Sequence, residues 1–162
     1  MTDSQQPDAV AWATWTTRLA DEVTLLADGA ALTVTGPDGS ARPVRLRKAR
    51  LGGFIPARHE VVTPWVRLTR AEDLLRGACV GPELIGARFP MSPEEDAALR
   101  ALGWHHPTPT DGEDYVRFWP DDVPLGPFLP RDEAERAAAM VARTFREVLA
   151  VRAGGLPTTT PG

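Results

Sequence analysis

The sequence predicts an α+β fold: an antiparallel β-sheet with N-terminal, middle and C-terminal helices packed on it. Three observations lead there. An amphipathic helical period occupies the N-terminal region, alternating strand patterns with strong turn residues fill the middle, and an alanine-rich helical stripe closes the chain. Helices that do not alternate regularly with strands argue against a parallel α/β sheet.

Asp8 is placed to cap the first helix. Trp12, Trp15, Leu19, Val23 and Leu26 then recur at intervals of three and four, and Gly29 ends the run. Each tryptophan on such a stripe buries on the order of 200 Å², which requires a broad partner, most simply a sheet. Leu32 and Val34 alternate with Thr33 and Thr35. Gly36-Pro37-Asp38-Gly39 follows as a turn, and Val44 and Leu46 then alternate with arginines. This pattern predicts a β-hairpin with one apolar and one wet face. Leu51–Arg58, with Gly52, Gly53 and Pro56, reads as a loop. Val61–Leu68 is rich in β-branched residues, and its Pro64, which cannot donate to a ladder, favours an edge strand or a bulge. Leu74–Val80 reads as a strand, with a helix starting at Ala71 as the alternative.

The segment from Met91 to Pro107 spells out a short helix with both ends marked. Ser92 caps it, Pro93 suits the first helical position, and Glu95 completes a capping box. Leu99 and Leu102 share a face, Gly103 supplies a left-handed end, and Trp104 falls where a residue folds back onto the last turn. His105–Glu113 is loop, Tyr115–Trp119 is an alternating aromatic strand, and the three prolines of Asp121–Pro130 wrap over the surface. A helix from about Arg131 to Arg152 buries Ala134, Ala137, Val141, Phe145 and Val148, and Gly154-Gly155 ends it. We expect one domain over residues 9–152, with disordered tails at 1–8 and 153–162.

Composition narrows the function classes. The chain has 162 residues, 43% of them hydrophobic and 25% charged, as in an ordinary globular domain with a proper core. A net charge of −4 lacks the basic footprint of a nucleic-acid binder. The run Arg42, Arg45, Arg47, Lys48 and Arg50 reads as the solvated face of a strand. Cys79 is the only cysteine, so no internal disulfide forms, which fits a reducing cytoplasm. The N-terminus lacks a signal-peptide pattern, and no apolar run is long enough for a membrane span. Lys48 is the only lysine among 18 basic residues, a codon bias that suggests a GC-rich bacterial genome.

Catalytic chemistry finds little purchase. His105 and His106 are adjacent, with Asp111, Glu113 and Asp114 nearby, but neighbouring side chains in an extended loop diverge, and a zinc site needs three or four converging ligands. Cys79 sits in an apolar run and reads as a small buried hydrophobe. His59 stands beside Glu60 in a loop. Glu94-Glu95-Asp96 and Asp132-Glu133 occupy first helical turns, where the macrodipole favours anions. Gly52-Gly53 is followed by no GK[ST], so it is no phosphate loop. We therefore assign no catalytic residue, no metal and no cofactor.

At the capped helix the chain resembles a known family. Ser92-Pro93-Glu94, Leu99-Arg100-Ala101-Leu102-Gly103-Trp104, Pro107, Tyr115–Trp119 and Thr144-Phe145-Arg146-Glu147-Val148 form an ordered set. That set resembles the actinobacterial TY-Chap domains, which are similar to type III secretion chaperones and to YbjN-like proteins. The resemblance covers roughly residues 9–152. It implies a type III secretion chaperone-like sheet with helices on one face. It also implies non-enzymatic binding of a peptide or protein client, often through a homodimer, while the acidic charge balance and the lack of a long apolar run predict no nucleic-acid or membrane partner. Ala49–Val61 and Asp121–Pro130 look like elaborations of that fold.

A client segment can add as a strand to an open edge, or place apolar residues in a groove between helix and sheet. The strand bearing Pro64 suits an edge blunted against uncontrolled pairing. Aromatic anchors dominate such surfaces, so Trp65, Phe118 and Trp119 are the candidate peptide-binding residues, with core packing as their competing role. This reading expects an exposed apolar patch on the order of several hundred Å². The alternatives are a small enzyme or metal-binding protein using the His105/His106 loop or Cys79, and a regulatory subunit of a larger bacterial assembly.

Overall fold

A computed structural model describes residues 5–47, 58–82, 88–108, 112–120, 129–149 and 155–162, and the side chains of all of these except 5–7, 45–47 and 58–59. The elements in chain order are α1 (Gln5–Thr24), β1 (Ala31–Thr35), β2 (Arg42–Arg47), β3 (Arg58–Val62), β4 (Trp65–Ala71), β5 (Leu74–Cys79), α2 (Pro93–Leu102), β6 (Tyr115–Trp119), α3 (Arg131–Arg143) and β7 (Thr158–Pro161). The fold is α+β. β6, β5, β4, β1 and β7 form a five-stranded sheet in that order, every neighbouring pair antiparallel, and β2 pairs with β3 alone.

α2 forms as its local chemistry dictates. Ser92 Oγ accepts from the Glu95 N–H at 3.2 Å, and the Glu95 carboxylate accepts from the Ser92 N–H at 2.9 Å. The two bonds satisfy donors that a helix start would otherwise leave open. Gly103 ends α2 in the left-handed region with φ 104°. The Trp104 N–H turns back to the Leu99 carbonyl at 3.1 Å. Its indole goes elsewhere, deep into the core.

The core lies on one face of the five-stranded sheet. Alternate residues of a strand face opposite sides. One face therefore presents Leu32 and Val34 of β1, Val66 and Leu68 of β4, Leu75 and Cys79 of β5, and Tyr115 and Trp119 of β6, all buried. Trp12, Trp15, Leu19 and Val23 of α1, Leu99 of α2, and Ala134, Ala137 and Val141 of α3 join them in one cluster. α1 buries the stripe its spacing predicts, with Trp12 and Trp15 edge to face at 5.6 Å. The last helix is α-helical to Arg143 and then widens into a π-helical turn over Thr144–Leu149, which buries Thr144, Phe145, Val148 and Leu149. The expected continuation to Arg152 lies outside the described residues, as do Gly52-Gly53, most of Asp121–Pro130 and most of Ala49–Val61.

Several expectations need correction. β1 and β2 do not form a hairpin. A 3₁₀ turn at Asp38–Ser40, closed by Ser40 Oγ donating to the Pro37 carbonyl at 2.6 Å, sends the chain out of one sheet into the other. Thr35 pairs with Trp65 and Arg42 with Val62, so β2–β3 prolongs the β1–β4 ladder beyond a break. Residues 36–41 oppose only 63–64 at that break. Pro64 sits in it, between β3 and β4 and not inside a strand, because it has no N–H to give a ladder. Its carbonyl instead accepts from Gly36 at 2.9 Å. β4 is the central strand of its sheet, so the expected edge role of the Pro64 segment is lost.

The termini also differ from expectation. Gln5–Asp8 is the first turn of α1 and not a tail, and α1 ends at Thr24, before Gly29. Thr158–Pro161, expected to fray, is β7, held against β1 by its ladder and by Gly162 N–H donating to the Ala31 carbonyl at 2.9 Å. Leu156 packs on the core, and buried Trp15 Nε1 donates to the Pro157 carbonyl at 2.9 Å. These anchors lower the entropy that pairing so short a strand must overcome.

One ion pair ties β2 to the first turn of α2. Arg42 of β2 grips Glu95 of the capping box with both guanidinium nitrogens, one bond being 2.8 Å, and also donates to the Pro90 carbonyl at 2.9 Å. Its guanidinium carbon stands 4.7 Å from the centre of the Phe89 ring. Partial burial pushes the Glu95 pKa up, but the bond from Arg42, the Ser92 N–H and the Arg42 charge together outweigh it and hold the carboxyl below its ordinary value. A lowered carboxyl pKa contributes stability that is present above the unfolded value and lost as pH falls through the folded one. Arg42→Ala should therefore cost about 1–2 kcal/mol at neutral pH in chemical denaturation. The difference from wild type should shrink as the pH is lowered past about 4. A gap that stays constant from pH 7 to pH 3 would contradict this assignment.

Candidate functional site

The opposite face of the five-stranded sheet carries no described helix. Ala31, Ala78 and Val116 are buried there, yet none belongs to the core cluster. The register sets out the rows on this face. Thr35 lies between Thr158 and Trp65, Arg67 between Thr33 and Ala78, and Arg76 between Thr69 and Phe118. Threonines cover the β1–β7 side. Arginines and aromatics mark the β4–β6 side, where Arg67 and Arg76 are exposed and Trp65 is half-buried. Phe118 is 37% exposed, enough for a ligand to cover.

The three sequence candidates separate. The register puts Trp65 and Phe118 on the same face, but Trp65 is half-buried and packs against the core cluster, whereas Phe118 is exposed. Trp119 lies on the other face, because adjacent residues of a strand point to opposite sides. It is a core residue, set edge to face against Trp104 at 6.1 Å. The expected continuous apolar patch is also missing among the described residues. The exposed large apolar side chains among the described residues are Val10 in α1, Leu25 just after it, Val61 of β3 and Phe118 of β6, which form no continuous stretch of sequence. Most of the aromatic surface is spent inside the core. Arg67 and Arg76 went unnoticed in the sequence, although each alternates with buried neighbours in a strand.

Both outer strands of the sheet are partly closed to strand addition. On β6, His105 N–H donates to the Val116 carbonyl at 2.9 Å, and the His105 carbonyl accepts from the Val116 N–H at 3.2 Å. On β7, the ladder bonds fall on Thr158, Thr160 and Gly162. Pro161 therefore stands on the outward side with no N–H to offer a new strand.

Among the described residues, the groups considered for an enzyme stand apart, and Asp111 lies outside those residues. His105 Nε2 lies 3.4 Å from Arg117, while His106 turns the other way, its Nε2 3.6 Å from Asp96 and its Nδ1 2.9 Å from the Pro107 carbonyl. Asp96 accepts the Tyr115 hydroxyl and pairs with Arg100 at 2.8 Å. Burial, then the bond to Asp96, pushes the Tyr115 phenol well above its ordinary pKa. Cys79 is fully buried, and burial followed by the Asp114 charge pushes its thiol far up, away from the reactive thiolate. Among the described residues no group of His, Cys, Asp and Glu could hold a metal ion. The side chain of His59 lies outside the described residues. A cleft of about 400 Å³ between α1 and α3 is lined by Trp12, Thr16, Arg131, Glu135 and Arg146, and Arg131 there is already paired with Asp21 and Glu135.

Comparison with known families decides the class. Residues 5–155 match the model of TY-Chap3, described as "T3SS (YopN, CesT) and YbjN peptide-binding chaperone 3". The chain belongs to the TY-Chap3 family. No curated protein and no solved structure matches it. In this TY-Chap3 chain a peptide-binding, chaperone-like role therefore meets a sheet with one face buried under helices and the other free of helices among the described residues. No helix among the described residues is long and apolar enough to cross a membrane.

Proposed function

We propose that this TY-Chap3 protein is a non-enzymatic module that binds an extended client segment across the helix-free face of its sheet, with Trp65 and Phe118 as the apolar anchors. The observation that carries this reading is the pair of aromatics that the register puts on the helix-free sheet face. The face is favoured over the edges because the His105 bridge and Pro161 blunt strand addition. Trp119 supports Phe118 from the core side and does not touch the client. The family resemblance brings a homodimer with it, and the single cysteine fits work in the cytoplasm.

The test starts from a displayed library of random 12-residue peptides selected on the wild-type protein. Binders are then measured by fluorescence polarisation. Trp65→Ala and Phe118→Ala are each expected to weaken binding about 10-fold or more, the behaviour of anchor residues. Phe118→Ala should leave the melting temperature within a few degrees of wild type, because its ring packs on no core. If selected peptides bind the folded double variant as tightly as wild type, the face is not the site.

A further inference from the structure

We propose that β7 is a displaceable latch, which fills the free side of β1 from within the same chain and holds that edge closed until a partner strand takes its place. The proposal goes beyond the binding reading of the helix-free face, because its site is a strand edge and does not use Phe118. β1 lies between β4 and β7. In an antiparallel pair, residues that exchange backbone bonds alternate with residues that do not. Arg70 N–H donates to the Ala30 carbonyl at 2.9 Å, so Leu32 and Val34 bond to β4. Gly162 N–H donates to the Ala31 carbonyl, so Thr33 and Thr35 bond to β7. Without β7 the strand Ala31–Thr35 would be a bare edge with no proline, no charge and no bulge, the devices that guard outer strands. β6 and β7 carry such devices in the His105 bridge and Pro161, whereas β1 relies on β7.

β7 is anchored at its start and lightly held beyond it. Leu156 packs on the core, and Pro157 is buried with its carbonyl accepting from Trp15 Nε1. From there the strand adds little burial: Thr158, Thr160 and Pro161 are exposed and Thr159 is half-buried. Backbone bonds to one neighbour hold it, whereas β1, β4 and β5 each have two neighbours and a buried face. Segments with few buried apolar contacts open at lower free energy than the core. The strand also lies beyond residues 5–155, which match the family. Thr158–Gly162 can therefore peel from β1 while Pro157 stays docked.

The edge that β7 covers sets the chemistry of its competitor. Thr159 and Pro161 lie opposite Val34 and Leu32, on the helix-covered side, where β-branched apolar residues pack better than threonine and proline. A Cβ at the Gly162 position would stand 3.4 Å from the Ala31 Cβ and 3.5 Å from Arg67 Nη2. A carboxylate side chain at that position would meet the Arg67 cation. β7 offers threonine, proline and glycine where these three groups would fit. A client segment with β-branched residues at the first and third positions and an acid at the fourth therefore pairs with β1 better than β7 does.

Hydrogen exchange on the wild-type chain reads the latch directly. The Thr33 and Thr35 amides, bonded to β7, should exchange about 100-fold faster than those of Leu32 and Val34, bonded to β4. Equal protection on both sides of β1 would mean that β7 leaves only when the sheet unfolds, and would overturn the latch. A labelled peptide, Gly-Ser-Thr-Val-Thr-Val-Glu-Gly-Ser, then probes the edge in the full chain. Thr158→Pro/Thr160→Pro removes N–H donors from the β7 ladder and should bind the probe about 10-fold tighter than wild type, because more of the chain is open. Thr33→Cys/Thr160→Cys joins directly opposed residues, whose Cα atoms in such a pair stand about 5.5 Å apart, and Cys79 is buried away from them. Its oxidised form should lose the probe and its reduced form should regain it. Phe118→Ala should change neither result. With the probe Glu replaced by Gln, binding to the proline variant should weaken about threefold. Equal binding of the probe to the oxidised and reduced forms would place it elsewhere and overturn the proposal. A proline variant that dimerises at micromolar concentration and excludes the probe would overturn the client strand in favour of a second copy.

Discussion

Trp104→Ala is expected to lower the unfolding free energy by about 3–5 kcal/mol. The indole is 2% exposed and packs edge to face on Trp119. Its Nε1 donates to Thr144 Oγ1 at 2.9 Å, and that hydroxyl donates onward to the Met140 carbonyl at 2.8 Å. One side chain thus ties the end of α2 to the π-helical turn that follows α3 and to β6. Alanine would leave a cavity under the sheet that rigid neighbours cannot close. With about 2–4 °C per kcal/mol for a domain of this size, the melting temperature should fall by roughly 10 °C. Trp104→Phe keeps much of the apolar contact and loses the N–H donor, so it should cost about half as much. A calorimetric scan of Trp104→Ala that moves less than about 3 °C would mean that the indole does not hold these elements together.

Gly77→Ala is expected to be destabilising by about 1–3 kcal/mol, and Gly77→Val by more. In most strands the sign would be the reverse, because glycine costs roughly 0.5–1 kcal/mol of entropy relative to alanine. Here a Cβ would stand 2.7 Å from Trp119 Cζ3, 3.0 Å from its Cη2 and 3.2 Å from Trp104 Cη2. Both indoles are buried and set at 89° to each other, so neither ring can retreat. The strain should be relieved by shrinking the ring. The double variant Gly77→Ala/Trp119→Leu should lose less than the two single variants added, by about 1 kcal/mol or more, in a denaturant cycle. Simple additivity would show that the two residues do not press on each other.

Both predictions turn on Trp104, and its story separates the legible from the hidden. The capping box at Ser92 and Glu95, the glycine stop at Gly103 and the burial of Leu99 follow from residues within a few positions of one another. The α1 stripe and the strand character of Tyr115–Trp119 are local in the same sense. The destination of the Trp104 indole is not local, since its partners Thr144, Trp119 and Gly77 come from three other elements. The same holds for β7, read as a tail because nothing near Thr158–Pro161 reveals that β1 has a free side for it. It holds as well for the β1–β2 hairpin, which looked sound until Thr35 paired with Trp65.

The candidate site divides along the same line. Trp65 and Phe118 were picked out as aromatics in strands, and the face they share is where the register puts them. Trp119 was grouped with Phe118, although a period of two already places neighbours on opposite sides. Arg67 and Arg76 were invisible, because an arginine alternating with buried residues looks the same on any wet strand. They fall on one face only when β4 and β5 align.

Sequence alone settles the helical stripe of α1, the strand character of Tyr115–Trp119, where helix α2 starts and stops, and the family to which the chain belongs. Those properties depend on dihedral preferences, caps and periodicities that act over a few residues. Tertiary structure alone decides which strands pair, which face the helices cover, and which side chains meet on the open face. Each of those outcomes is a competition among distant segments for the same apolar surface and the same backbone hydrogen bonds, and no single stretch of chain contains its result.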